Sequence, residues 1–191
     1  MYPRGKKHFT PEQYLAMEER SDTKSEFYRG EIFAMAGASS NHNLLVSNTI
    51  TSLNQFFRGK PCLVYPSDMR LWIRKNDLAT YPDVMVVCGR PLFYEGRTDT
   101  VTNPIVIVEV LSESTRDYDR GFKFELYRAI ESLRDYVLVD QTKIHVEHHH
   151  RMDDGRWVLE EFSEPDATLT LESISFTVRI GELYEKVDFG V

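Results

Sequence analysis

Two carboxylates carry the chemistry this sequence can do. Glu109 lies late in the run Pro104-Ile-Val-Ile-Val-Glu-Val-Leu111, where five of the seven residues from Ile105 to Leu111 are β-branched. Such a run reads as a fully buried central strand. An ionised carboxylate buried without partners costs several kcal/mol, so Glu109 must be paired, metal-bound or protonated. Asp83, in Tyr81-Pro82-Asp83, opens a second apolar run, Val84 to Cys88. If the two strands are neighbours, both carboxylates converge on one divalent cation. That hard, oxygen-ligand site suits Mg²⁺, with Mn²⁺ as a substitute and the Val110 carbonyl as a natural third ligand.

Elements that position these acids follow from local signals. Thr10-Pro11-Glu12-Gln13 is a helix start, with Thr10 as N-cap, Pro11 at the first position and Gln13 completing a capping box. That helix should run to about Arg20 and bury Tyr14, Leu15 and Met17. Ser25 to Ala36 reads as a hairpin turning at Arg29-Gly30, with Glu26 and Glu31 on either side. Ser39 or Ser40 caps a helix through about Phe57, whose Val46, Ile50, Leu53 and Phe57 share one face.

Cys62 to Ile73 supplies one strand or two, bent near Pro66, and Gly89 to Asn103 is a polar loop. After the Glu109 strand, a helix from Arg116 to about Leu133 turns Phe122, Leu126, Ala129 and Ile130 inward. Tyr136 to Asp140, Lys143 to His149 and Arg156 to Phe162 are strands, and the tail from Thr168 to Val187 adds a short strand and a last helical turn.

Composition sets the frame. With 191 residues, 41% hydrophobic and 28% charged, the chain is expected to be one domain over 10–191 behind a flexible leader, 1–9. No long apolar run signals a membrane span, and Met1 to Phe9 holds no stretch that could serve as a signal peptide. A cytoplasmic protein is the expectation, with Cys62 and Cys88 as two reduced, buried thiols. A net charge of −7 means that any contact with DNA must be local, because the overall field repels phosphate.

The order of motifs is similar to that of a known family. Tyr81-Pro82-Asp83 followed by Ile107-Val108-Glu109-Val110 resembles the PD-(D/E)XK nuclease superfamily. The longer series is Glu26, Gly30-Glu31, His42, Pro82-Asp83, Val108-Glu109-Val110-Leu111-Ser112, Ser114-Thr115-Arg116, Asp119-Arg120, Lys123, Tyr127 and Val137-Leu138-Val139-Asp140. It resembles the Uma-type restriction endonucleases over roughly residues 10 to 188. The resemblance implies an α/β, restriction-endonuclease-like fold: a mixed central sheet flanked by helices, here with extra C-terminal strands.

One position departs from the superfamily pattern, because Leu111 stands where a lysine is expected two residues after the acid. Strand and loop travel about 10 Å outward from Glu109, and about seven helical residues from Arg116 cover the same distance back. Lys123 returns level with Glu109, the displaced lysine that the Uma-type resemblance also implies. On the helical wheel Lys123 borders the apolar arc. Arg116 and Arg120, nearer solvent, are candidates for phosphate contact or members of a solvated charged face.

By resemblance Glu26 is the fourth catalytic member, an outer ligand or water anchor; from the hairpin alone it is a surface acid. His42 is a candidate for substrate contact or a side chain near a helix start. The trio Asp83, Glu109 and Lys123 is either a metal centre or a buried ion pair tying sheet to helix. With the resemblance, it implies a Mg²⁺-dependent endonuclease acting on DNA, most naturally as a homodimer. The other readings are a catalytically silent nucleic-acid-binding or assembly module, and a phosphodiesterase acting on RNA or another nucleotide.

His148-His149-His150 makes no zinc site by its spacing. In a strand His148 and His150 share one face, and no Cys or further His follows at ligand spacing.

Overall fold

The computed structural model describes residues 8–35, 37–113 and 115–190. Apart from His8 and Phe9, the leader expected over 1–9 lies outside them. Helix α1 (Pro11–Glu18) starts as its sequence dictates: Thr10 accepts from the Gln13 amide, and the Gln13 side chain accepts from the Thr10 amide, a reciprocal capping box. Tyr14 and Leu15 are buried, whereas Met17 points outward and is 49% exposed. Strands β1 (Ser25–Tyr28) and β2 (Glu31–Ala34) form the expected hairpin. Arg29 and Gly30 both take positive φ at its turn, the conformation a two-residue hairpin loop requires.

Helix α2 (Ser40–Phe57) is capped by Ser39, which accepts from the His42 amide. Its buried stripe is Leu45, Thr49, Leu53 and Phe57, so the expected Val46 and Ile50 sit one position off the centre of the face. The chain then bends as Pro66 predicted. β3 (Cys62–Pro66) and β4 (Arg70–Ile73) belong to different sheets, and β5 (Leu78–Thr80) pairs with both β4 and β1. β6 (Val84–Cys88) follows, and the segment read as a polar loop contains the short β7 (Thr100–Val101), which pairs in parallel with β4.

β8 (Val106–Leu111) is central. The six-stranded sheet runs β11-β10-β9-β8-β6-β3, so β8 lies between β6, antiparallel, and β9 (Asp135–Asp140), parallel. β10 (Val146–Arg151) and β11 (Trp157–Phe162) form its outer hairpin. The tail gives β12 (Thr168–Leu171), β13 (Phe176–Arg179) and a last short helix.

Alternation along β8 divides the core. Val106, Val108 and Val110 pack with Leu45 and Leu53 of α2 and with the tail, while Ile107 and Leu111 pack against Leu126, Ile130 and Leu133 on the other face. Among the described residues, no helix is long and apolar enough to cross a membrane.

The cysteine expectation is corrected. Cys62 and Cys88 are joined in a disulfide rather than held as two reduced thiols. Antiparallel pairing of β3 with β6 sets them directly opposite one another, a juxtaposition invisible in a sequence separation of 26. Closing a loop of that length stabilises by about 3–4 kcal/mol. The double change Cys62→Ala/Cys88→Ala is therefore expected to lower Tm by about 10 °C. A reductant should lower the wild-type Tm and leave the variant unmoved in the same thermal melt.

Candidate metal and acid centre

The register that pairs Val84 with Val108 carries on to set Asp83 opposite Glu109. The two acids are locked together through the backbone as well: the Val110 amide donates to Asp83 Oδ2 at 2.8 Å, and the Asp83 amide donates to Glu109 Oε2 at 3.3 Å. Alternation turns the Glu109 side chain toward the helical segment after β8, with 3% of the residue exposed.

That segment is not the regular helix expected from Arg116 to Leu133. It runs as α3 (Arg116–Tyr118), a π-helical stretch (Asp119–Lys123) and α4 (Phe124–Tyr127), and ends there. A π turn inserts one residue and shifts the helical phase. Phe122, expected inward, is 39% exposed and packs edge-on against Tyr28, while Lys123 and Tyr127 take the buried face. The wheel had placed Lys123 at the border; the phase shift moves it inside.

Lys123 Nζ lies 2.9 Å from Glu109 Oε1, 3.2 Å from Asp119 Oδ1 and 3.7 Å from Glu26 Oε1. Glu26 arrives from β1, where it faces Thr80; it accepts hydrogen bonds from the Thr80 hydroxyl and, at 3.2 Å, from the Tyr118 hydroxyl. Tyr127 donates to Glu109 Oε1 at 2.7 Å. His42, from the first turn of α2, places Nε2 3.1 Å from Asp83 Oδ2. Four of the predicted side chains therefore gather at Glu109: Asp83 and Lys123 directly beside it, Glu26 through Lys123 and His42 through Asp83, while Val110 contributes its amide to Asp83.

The two arginines do not join them. Arg120 is held by Glu147 of β10, with its Nε 2.7 Å and a terminal nitrogen 2.5 Å from Oε1, and that hydrogen bond raises its pKa. Arg116 is half-buried and its Nε has no hydrogen-bond partner. Two members of the centre were given no role from the sequence, Asp119 and Tyr127. Both stand four residues from Lys123 on the helical segment, the spacing at which side chains share a face, and that signal could have found them.

Charge at the centre is unbalanced. Asp83, Glu109, Glu26 and Asp119 face one ammonium, which lies within 4 Å of three of them. Burial works against a charged Lys123, but Glu109, Asp119 and Glu26 outweigh it and hold its pKa well above the usual lysine value. Burial pushes Glu109 up to about 8, with Asp83 and Asp119 adding to the rise while Lys123 and the Tyr127 hydroxyl oppose it. Burial and the neighbouring carboxylates thus both favour protonation of Glu109.

These donors fit a hard divalent cation. Asp83 Oδ1 has no hydrogen-bond partner among the described residues, its side chain is 16% exposed, and Glu109 Oε2 carries only the long contact from the Asp83 amide. Two carboxylates that each keep an oxygen with little or no hydrogen bonding are the kind of hard ligand Mg²⁺ takes, with water and phosphate oxygens filling its remaining positions.

Tyr127→Phe isolates one strut of this arrangement. The change removes a buried hydrogen bond to a carboxyl group, so it is expected to cost about 1–3 kcal/mol by chemical denaturation. Since the hydroxyl meets Oε1 rather than Oε2, divalent-ion affinity should move only a few-fold.

Comparison with known proteins now bears on the geometry. Residues 11–180 match the Uma2 family, described as "Putative restriction endonuclease". The chain belongs to that family. Protein sll1609 of Synechocystis sp. (strain ATCC 27184 / PCC 6803 / Kazusa) is 41% identical over 163 residues, 85% of this chain and 92% of that one. Protein slr1290 of the same organism is 37% identical over 180 residues, covering 94% and 93%. The fold is similar to that of a crystal structure from Anabaena variabilis ATCC 29413, "a putative nuclease belonging to DUF820". Its TM-score is 0.76 at 18% identity, covering 93% of this chain and 98% of that one. The mixed α/β architecture of a restriction-endonuclease-like domain is thus the architecture of this Uma2 protein.

Proposed function

We propose that this protein is a divalent-metal-dependent endonuclease that hydrolyses DNA phosphodiester bonds. One observation carries the reading: Asp83 and Glu109 stand side by side on adjacent strands with the Lys123 ammonium 2.9 Å from Glu109. Asp83, Glu109 and the Val110 carbonyl are the groups that would hold Mg²⁺ or Mn²⁺, which when bound polarises a phosphate and lowers the pKa of a water. Lys123, charged at neutral pH, orients the attacking water and offsets negative charge developing on the phosphate. Glu26 anchors Lys123 from the side of β1, and His42 holds Asp83 in position. The family description supports a DNA substrate, and this acidic centre needs a cation to accept a phosphate.

A second reading has its own support. Glu109 is almost fully buried and already shares Lys123 with two other acids, as in an ion-pair network that only ties sheet to helix. Titration of the apo protein with Mn²⁺ by calorimetry, together with Mg²⁺-dependent cleavage of supercoiled plasmid and of RNA, separates the readings. The nuclease reading expects ion binding and plasmid nicking that EDTA abolishes. Absence of ion binding supports the silent module, and cleavage of RNA alone supports the other phosphodiesterase. Cutting both strands of a duplex calls for two such centres, so this reading also expects a homodimer in sedimentation analysis.

A further inference from the structure

Pairing of β10 with β11 supplies what the chain spacing of the three histidines lacked. His148 lies opposite Glu160, and His148 and His150 face the same side as Glu160. That side is the α2 face of the sheet: His148 neighbours Val137, which packs with Leu45 and Leu53 across the sheet from Glu109. The place is therefore separate from the acid centre.

His148 is 2% exposed, and the Nδ1 atoms of both His148 and His150 are buried without a hydrogen-bond partner among the described residues. The other nitrogen of His148, Nε2, lies 2.7 Å from Asp135 Oδ1, and Asp135 also accepts the Ser173 hydroxyl. A carboxylate accepts only, so Nε2 bears the proton and Nδ1 presents a lone pair. His148 Nδ1 lies 3.6 Å from Glu160 Oε2, and His150 Nδ1 lies 3.9 Å from the same oxygen. Both separations are too long for hydrogen bonds. With both imidazoles neutral, these electron-rich atoms converge with no donor hydrogen between them, an arrangement that a cation would satisfy.

We propose that His148, His150 and Glu160 form a binding site for Zn²⁺ or a similar borderline divalent cation. Two imidazoles select such a metal over Mg²⁺. Tetrahedral bonds of about 2.0–2.1 Å set ligand atoms about 3.3 Å apart. The three ligand atoms all lie within 4.8 Å of one another; Glu160, with a side chain 54% exposed, can shorten the observed 3.6 and 3.9 Å, and His150, with a side chain 28% exposed, can close on His148. Asp135 completes the arrangement as the carboxylate that orients a ligating histidine, itself steadied by Ser173. Bound there, the ion staples the outer β10–β11 hairpin, and a fourth position remains for water.

The test uses the full chain, purified without a histidine tag and stripped with a chelator, then titrated with Zn²⁺ by calorimetry and followed by thermal melting. Wild type is expected to bind one ion at this site and to gain Tm. His150→Ala and Glu160→Ala, both outside the fully buried core, should each weaken binding at least about 10-fold. Glu161→Ala, whose carboxylate faces His145 on the other side of the hairpin, should leave binding unchanged. Failure of the wild type to bind, binding that survives both His150→Ala and Glu160→Ala, or loss that tracks Glu161 instead would each overturn the assignment.

Discussion

Lys123→Ala is expected to lose about 3–5 kcal/mol of stability, because it strips the shared cation from Glu109, Asp119 and Glu26 at 2.9, 3.2 and 3.7 Å. Glu109 and Asp119, each 3% exposed, cannot reach bulk water without disrupting β8 or the π-helical stretch, and the Glu26 side chain is only 12% exposed. The loss is measured by urea denaturation in EDTA. Cleavage should fall by at least about 10²–10³-fold, the cost of removing one group that stabilises charge in the transition state. Metal affinity should stay within a few-fold, since the ammonium is no ligand. A lowered folded fraction can imitate lost chemistry, so activity is compared at a temperature where both proteins are folded by circular dichroism. Added Mn²⁺ is expected to restore more Tm to the variant than to wild type, because the ion supplies charge that the lysine no longer does. A variant that cleaves normally would identify Lys123 as the wrong lysine, and one as stable as wild type would mean that the three acids do not depend on it.

How far the sequence revealed this centre depends on how local each signal was. The two acids were legible because each sits in an unbroken apolar run, and only burial of such runs makes a single carboxylate conspicuous. Lys123 was reached by comparing rises along strand and helix, an estimate that survives small errors in phase. Burial of Lys123 was not legible. It depends on a π turn over Asp119–Lys123, a backbone choice enforced by what the side chains meet in three dimensions, and a regular wheel put Phe122 in its place. Strand pairing was hidden for the same reason. Nothing in the spacing of Cys62 and Cys88, or of His148 and Glu160, announces that β3 lies against β6 or β10 against β11. Arg120 read as a phosphate ligand because its partner, Glu147, is far away in sequence and arrives only with β10.

Glu109→Gln should separate binding from folding more cleanly than any other change. Burial pushes Glu109 up to about 8, which favours a neutral carboxyl in the ion-free protein, and glutamine reproduces the shape and charge of that form. Lys123 keeps Asp119 and Glu26, and Tyr127 can still donate to the amide oxygen. Stability in EDTA is therefore expected to change by only about 1 kcal/mol, the net worth of one hydrogen bond. With a divalent ion present the two proteins should diverge. The wild-type carboxyl can release its proton and become an anionic oxygen donor, whereas the amide cannot, and a hard cation loses one of two charged ligands. Mn²⁺ binding by calorimetry should disappear, the metal-dependent rise in Tm should vanish with it, and plasmid cleavage should fall at least about 10²–10³-fold. Matching Mn²⁺ affinities in the two proteins would remove the metal centre from this site and leave Glu109 and Lys123 as struts between β8 and the helical segment that follows it.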